Sequence, residues 1–218
     1  MKKILGNKFI LFLIFTIVIA TFFIGCSSGK KSDKYILQNS INELQSKSNY
    51  VKIDDINETF LDAIVATEDR RFYNHGALDF RGIVRAIVNN IKAGELREGG
   101  STITQQTSKN LCLSNERSLK RKIKEIMLSF QLEKDYSKKE ILELYVNSIY
   151  FGSGYTGVSE ASEGYFNKKP KDLTYDEATL LAGLPQAPSS YDLNTKSGLE
   201  RARERQKLVK KALEKYND

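Results

Sequence analysis

The chain reads as a mainly α domain, and three observations carry that expectation. Apolar residues recur at helical spacing over long stretches, as in Phe60, Leu61, Ile64 and Val65, or Phe80, Ile83, Val84, Ile87, Val88 and Ile91. Ser137-Lys138-Lys139-Glu140 and Thr174-Tyr175-Asp176-Glu177 have the Ser/Thr-x-x-Glu form of a helix-starting capping box. The connections between these segments are short, and the β-like pattern is limited to Tyr50-Val51-Lys52-Ile53. At 218 residues one domain is the default, large enough to bury a substantial core.

The N-terminus is a targeting pattern. Lys2, Lys3 and Lys8 precede an uncharged apolar run from Phe9 to Ile24, then Gly25-Cys26-Ser27-Ser28-Gly29. Two readings stand side by side. One is an uncleaved signal-anchor with its lysines held inside the cell. The other takes Phe23-Ile24-Gly25-Cys26 as resembling a bacterial lipoprotein box, with Cys26 lipidated and Phe23 where leucine is usual. Either way residues 1–34 form an anchor and spacer, and residues 35–218 form a domain tethered to the cell membrane on its outer side. The polar stretch 30–56 is expected to be a linker leading into that domain.

The first helix of the domain ends close to Glu68. A carboxylate at the negative end of a helix dipole is suited to accept a proton as a general base. The bland alternative is a surface Glu68-Asp69 pair flanked by Arg70 and Arg71. Asp79 then resembles an N-cap, and Gly94 a C-terminal stop. The apolar stripe between them predicts a core helix, with Arg81 and Arg85 off the stripe and free to face a cleft.

Glu95 to Gly100 is a charged, turn-rich stretch. Ser101-Thr102-Ile103-Thr104-Gln105-Gln106 offers hydroxyls and amides in succession, suited to sugar hydroxyls or phosphate oxygens. A capped helix start with an exposed polar face is the plainer alternative. Ser114 is the expected cap of the next helix, with Leu119, Ile123, Ile126, Met127 and Phe130 pointing inward. Arg117, Arg121, Lys124 and Glu125 share a face at i, i+4, i+7 and i+8, with Lys109, Lys120 and Lys122 nearby. One acid among many cations suits a pyrophosphate, which arginine grips bidentately and lysine neutralises as a compact charge.

Helices follow from Ser137, carrying Ile141, Leu144 and Tyr145, and from Thr174. Pro185 and Pro188 stop the second of these, and Ser197-Gly198-Leu199-Glu200 opens a last basic helix. Gly152, Gly154 and Gly157 lack both the Gly-Lys-Ser/Thr ending and the preceding strand of a P-loop. Ser-x-x-Lys, the nucleophile motif of penicillin-binding transpeptidases, falls only at Ser27 and Ser28 in the tether. Lys196-Ser197-Gly198 is explained by helix capping, which leaves no acyl-transfer centre.

The formal net charge of +7 fits an anionic partner. Nucleic acid is excluded on the lack of aromatics among the cations, of a helix-turn-helix pattern and of a cytoplasmic address. Cys26 and Cys112 make no disulfide framework, and His75 is the single histidine, so neither a zinc site nor a His-based triad is legible.

Taken together, residues 57–191 resemble the peptidoglycan glycosyltransferase family, the glycan-polymerising module of class A penicillin-binding proteins and of monofunctional transglycosylases. Glu-Asp-x-x-Phe-x-x-His is matched from Glu68 to His75, Gly-x-Ser-Thr-Ile-Thr-Gln-Gln from Gly99 to Gln106, and Arg-Lys-x-x-Glu from Arg121 to Glu125. A fourth motif, Lys-x-x-Ile-Leu-x-x-Tyr-x-Asn, is met where Lys139-Glu140 directly precede Ile141-Leu142 and Tyr145-x-Asn147 follows. The chain departs from the pattern at Arg205-Gln206, where paired arginines are usual, and at Asp192-Leu193-Asn194, where Asn-Pro is common.

The resemblance implies a lysozyme-like α lobe with a smaller mobile jaw against the membrane, and lipid II and the growing glycan strand as substrates. Glu68 is implied as general base on the acceptor 4-hydroxyl. Glu125, with Lys109, Arg117, Arg121 and Lys122, is implied to stabilise the departing pyrophosphate. Ser101, Gln105 and Gln106 would position sugar or phosphate, and Asp69, Phe72, Thr104, Tyr145 and Asn147 complete the expected substrate-binding set. A divalent cation (Mg²⁺ or Mn²⁺) would accompany the substrate pyrophosphate, with no metal held by protein ligands. Membrane lipid and cell-wall synthesis proteins are the expected partners. A lysozyme-like glycan hydrolase and a non-catalytic scaffold for lipid-linked precursors are the alternatives.

Overall fold

The structure, a computed structural model, describes residues 30–94, 99–113 and 118–218. The apolar N-terminal run with Cys26, the stretch 95–98, and residues 114–117 with Ser114 and Arg117 lie outside the described residues. Among the described residues no helix is long and apolar enough to cross a membrane.

The expected mainly α fold is what the chain adopts. Helix α1 spans Lys30–Gln45, α2 Glu58–Glu68, α3 Phe80–Ala93, α4 Ile103–Cys112, α5 Leu119–Asp135 and α6 Lys138–Ser148. Then come α7 Val158–Phe166, α8 Tyr175–Leu181 and α9 Lys196–Asn217. The strands β1 Tyr150–Gly152 and β2 Tyr155–Thr156 form one small antiparallel hairpin between α6 and α7. The glycines that resembled a loop motif make this turn and its exit. Gly157 sits at φ 87°, and a Cβ there would meet the Asn147 carbonyl oxygen at 2.8 Å.

Several ends form as the side chains dictate. Asp79 caps α3 by accepting from the Arg81 amide, and Gly94 closes the helix at φ 70°. Ser137/Glu140 and Thr174/Glu177 form the expected capping boxes. Thr102 and Gln105 form a third, at the start of α4.

Four expectations are corrected. The stretch 30–56 is not a linker: α1 buries Leu37, Ile41 and Leu44 in the main core, against α4, α5 and α6. Tyr50–Ile53 forms no strand. It is tied to α6, where buried Glu143 accepts from the Tyr50 hydroxyl at 2.6 Å and from the Ile53 amide at 2.9 Å. Helix α5 is capped by Ser118, and its buried residues are Glu125, Leu128, Ser129 and Leu132, while Leu119 is 87% exposed. Its charged face is the inner one, because that face lines a cleft. Helix α3 is not a core helix. It buries the small residues Gly82 and Ala86 and leaves Phe80, Val84, Ile87, Val88 and Ile91 in solvent.

The core is continuous: Phe60, Ile64 and Val65 of α2, Ile141, Leu144 and Tyr145 of α6, and Leu181 and Val209 of α8 and α9 belong to one cluster. Helix α4 packs between α5 and α6, while α9 packs along α2 and α8. Thus the C-terminus of α2, where Glu68 sits, lies where these two groups of helices meet.

Candidate active site

Helix α4 carries the polar run into the interior. Thr104, Gln105, Thr107 and Ser108 are buried, and their groups are satisfied internally. Thr104 Oγ1 donates to Glu133 Oε1 at 2.5 Å, and Thr107 Oγ1 to the Ile103 carbonyl at 2.9 Å. Gln105 accepts from the Thr102 amide in the capping box. Gln106, one residue on, is half-buried and turns toward the end of α2. Its Nε2 donates to Glu68 Oε2 at 3.0 Å, and its Oε1 accepts from the buried Tyr145 hydroxyl at 3.3 Å. Burial holds the Tyr145 phenol well above its usual pKa, reinforced by the Glu68 and Asp69 carboxylates, so it remains a neutral donor. Tyr145 therefore orients the Gln106 amide, and Gln106 orients Glu68.

Glu68 opens onto a cleft of about 690 Å³ lined also by Arg70, Arg85, Ser101, Gln106 and Lys109 from the α2–α4 side. Arg121, Lys122 and Glu125 line it from α5, and Pro185, Gln186 and Arg205 from the far end of the chain. The second carboxylate has a different setting. Glu125 is only 3% exposed, bonded at 3.2 Å by Arg121 and more closely by Lys122, whose ammonium also reaches Ser101 Oγ at 3.0 Å. Lys109 makes no ion pair among the described residues and faces the same space. One cleft thus holds one acid oriented by a neutral amide and one neutralised by cations.

The other expected residues frame the cleft from behind. Asp69 is buried, its Oδ2 accepting from the Ile103 amide at 3.1 Å and its Oδ1 2.8 Å from His75 Nε2. Phe72 is fully buried beneath the Lys138 ammonium, 4.4 Å from its ring centroid. Asn147 is paired with the Val51 backbone through both amide groups, at 2.9 and 2.8 Å. Thr104, Gln105, Tyr145 and Asn147 are therefore buried framework in this structure, and Lys124 leaves the cleft to pair with Asp33 on α1. Arg85 joins the cleft as its position off the apolar stripe allows. Sequence reading missed Arg70 and Arg205. Arg70 adjoins the first motif, but Arg205 lies 80 residues beyond Glu125, and only tertiary packing brings it in.

Among the described residues, two candidate metal positions have donor atoms already engaged. Both Glu125 oxygens are taken by cations. Atoms of Asp69, His75 and Asp79 come within 4.8 Å of one another, but both Asp69 oxygens are already used, and the Arg71 guanidinium lies 3.6 Å from Asp79.

The site is thus a cationic cleft in a helical lobe that holds two differently partnered carboxylates. The family described as "Transglycosylase" matches residues 36–214. Penicillin-binding protein 1A of Aquifex aeolicus (strain VF5) is 51% identical over 164 residues, covering 75% of this chain and 22% of that protein. Penicillin-binding protein 1A of Neisseria flavescens is 46% identical over 165 residues, covering 76% and 20%. The chain spans about a fifth of the length of these curated relatives. It belongs to the transglycosylase family, the peptidoglycan glycosyltransferases whose motifs it carries.

Proposed function

We propose that this domain polymerises lipid II into glycan strands, with the contrast between its two cleft carboxylates as the observation that carries the reading. Glu68 has one oxygen held by Gln106. It takes the proton of the acceptor sugar's 4-hydroxyl as that oxygen attacks the anomeric carbon of the growing chain. The new glycosidic C–O bond forms as the bond to the pyrophosphate breaks, with inversion at that carbon. The leaving undecaprenyl pyrophosphate keeps the bonding pair, and Lys109, Arg121 and Lys122 stabilise the charge it gains. Donors aimed where charge develops contribute roughly 3–4 kcal/mol each. Glu125 holds Arg121 and Lys122 in place and limits their mutual repulsion. A divalent cation, Mg²⁺ or Mn²⁺, would be carried by the substrate's phosphates and add charge neutralisation there.

A glycan hydrolase would use a pair of acids but has no need of six cleft cations (Arg70, Arg85, Lys109, Arg121, Lys122 and Arg205). The targeting pattern in residues 1–29 and the exposed apolar face of α3 support a domain, beginning at α1, held at the outer surface of the cell membrane, where its lipid-linked substrate lies. Cell-wall synthesis proteins are the partners such a location offers.

The test is turnover of labelled lipid II in detergent, with products resolved on a gel beside Glu68→Gln. Wild type should give a ladder of polymer, and the variant should fall about 10²–10⁴-fold in rate. Unchanged lipid II from folded wild type would overturn the transferase reading. Soluble fragments without a ladder would point to hydrolysis, and equal ladders would remove Glu68 from its role.

A further inference from the structure

Among the described residues, the side chains of Lys196, Arg205, Lys211 and Lys215 on the basic helix α9 make neither an ion pair nor a hydrogen bond, and of these the three lysines are exposed while Arg205 has a buried nitrogen. Arg201 donates to the Ser190 carbonyl at 2.9 Å, Arg203 and Lys210 pair with Asp176, and Lys207 pairs with Glu204. Arg205 makes no ion pair or hydrogen bond among the described residues, and its Nε is buried without a partner. A buried, unpaired guanidinium nitrogen is costly in a folded protein unless something else completes it.

Its position says where that partner arrives. Arg205 lines the catalytic cleft together with Glu68, Gln186 and Lys109. Gln186 and Arg205 also line a second, shallower groove with Tyr191, Leu199 and Leu208. The two residues form the wall at which one space passes into the other. The side chain is set from below: a Cβ on Gly183 would lie 3.1 Å from Arg205 Cγ, so the aliphatic stem rests directly on that glycine. The cations that face Glu125 come from α5, whereas Arg205 comes from α9, which packs along α2.

We propose that Arg205 is a substrate-binding residue. It grips an anionic oxygen of the lipid-linked sugar–peptide on the α9 side of the cleft, separately from the cations that receive the leaving group. Two parts of such a substrate carry that chemistry, the pyrophosphate bridge and the carboxylates of the peptide stem. The assignment rests on the lipid II reading above, and its test is chosen to fail separately from it.

The experiment measures binding and turnover in the full-length protein. Arg205→Met keeps the stem that packs on Gly183 and removes the charge, and Arg205→Lys restores a charge. Lipid II binding is titrated in a Glu68→Gln background, where no product forms. Arg205→Met should weaken binding roughly 10- to 100-fold, the range expected for a lost charge-assisted contact, and Arg205→Lys should recover part of it. The melting temperature should not fall, because no protein hydrogen bond is lost and a buried unpaired nitrogen is removed. In turnover assays the loss should appear in KM rather than kcat. Repeating the titration with a stem-less lipid-linked disaccharide separates the sources: a persisting defect assigns the pyrophosphate, and a vanished one the stem. Equal binding by Arg205→Met and the parent protein, or a defect that follows a lowered melting temperature, would overturn the assignment. Binding that depends on Arg205 in a protein that makes no polymer would leave it standing and overturn the transferase reading instead.

Discussion

Asp69 shows how much rests on one side chain beside Glu68. Its Oδ2 holds the amide of Ile103, the first residue of α4, and that helix delivers Gln106 to Glu68. Its Oδ1 is held by His75, whose other ring nitrogen lies 2.6 Å from the Gly76 carbonyl oxygen. Both partners are acceptors, so the ring is best satisfied with two protons. Burial opposes the charged ring and Lys138 repels it, but the Asp69 bond and the Gly76 carbonyl outweigh them and raise the His75 pKa above its ordinary value. The sign follows from that direction. A raised folded-state value contributes stability that is complete below about 6.5, the unfolded value, and is lost as pH climbs through the folded one. Wild type should therefore lose stability relative to His75→Gln as pH rises above about 6.5 toward the raised folded-state value. Thermal unfolding of both proteins across that range reads the effect, and parallel profiles would refute it.

At the scale of elements, Gln206 is the clearest case of a residue whose type departs from the family while its place makes sense. It is buried between α9 and α8, where its Nε2 donates to the Asp176 carbonyl at 2.7 Å and to Thr179 Oγ1 at 2.9 Å. Its Oε1 accepts from Arg203 at 2.9 Å. Gln206→Leu keeps the volume and strands those groups, which should cost about 1–3 kcal/mol in urea unfolding. A loss under 0.5 kcal/mol would mean that solvent replaces the latch. The same scale explains what the sequence could and could not reveal. Capping boxes and Gly94 were legible because a helix end is settled by residues three or four apart. The orientations of α3 and α5 were not. Periodicity states which residues share a face but not which face is covered: α3 turns its large apolar side chains outward, and α5 exposes Leu119, Ile123 and Phe130 while burying Leu128 and Leu132. The Ser101–Gln106 run reads in sequence as groups for sugar or phosphate, or as a capped helix start with an exposed polar face. In α4 most of these groups are satisfied inside, and Gln106 alone of the helix's Thr104–Gln106 run lines the cleft. Glu68, Lys109, Arg121, Lys122 and Glu125 were legible through motif and charge, whereas Arg205 needed the packing of α9 on α2.

For the whole molecule, the outward face of α3 is the feature that a water-soluble fold does not explain. Val84 and Ile91 are 61% and 72% exposed, on the same helix that offers Arg85 to the cleft. Their exposure means that α3 contributes little packing through them, so Val84→Ser with Ile91→Ser should change folding stability by no more than about 0.5 kcal/mol. If the face rests in a bilayer, the same pair should matter there, since each buried aliphatic side chain is worth about 1.5–3 kcal/mol. The fragment for this test begins at Lys30, where α1 starts, because Asp33 and Lys34 pair with Lys124 and Asp135 and a later cut would remove those contacts. Freed of residues 1–29, this fragment should still cosediment with lipid vesicles, and the double substitution should weaken that association about tenfold or more. Cosedimentation unchanged by the substitution would leave the N-terminal segment as the sole membrane contact. Lipid II turnover in detergent should be equal for the two fragments, which places the effect on access to the membrane rather than on the chemistry at Glu68.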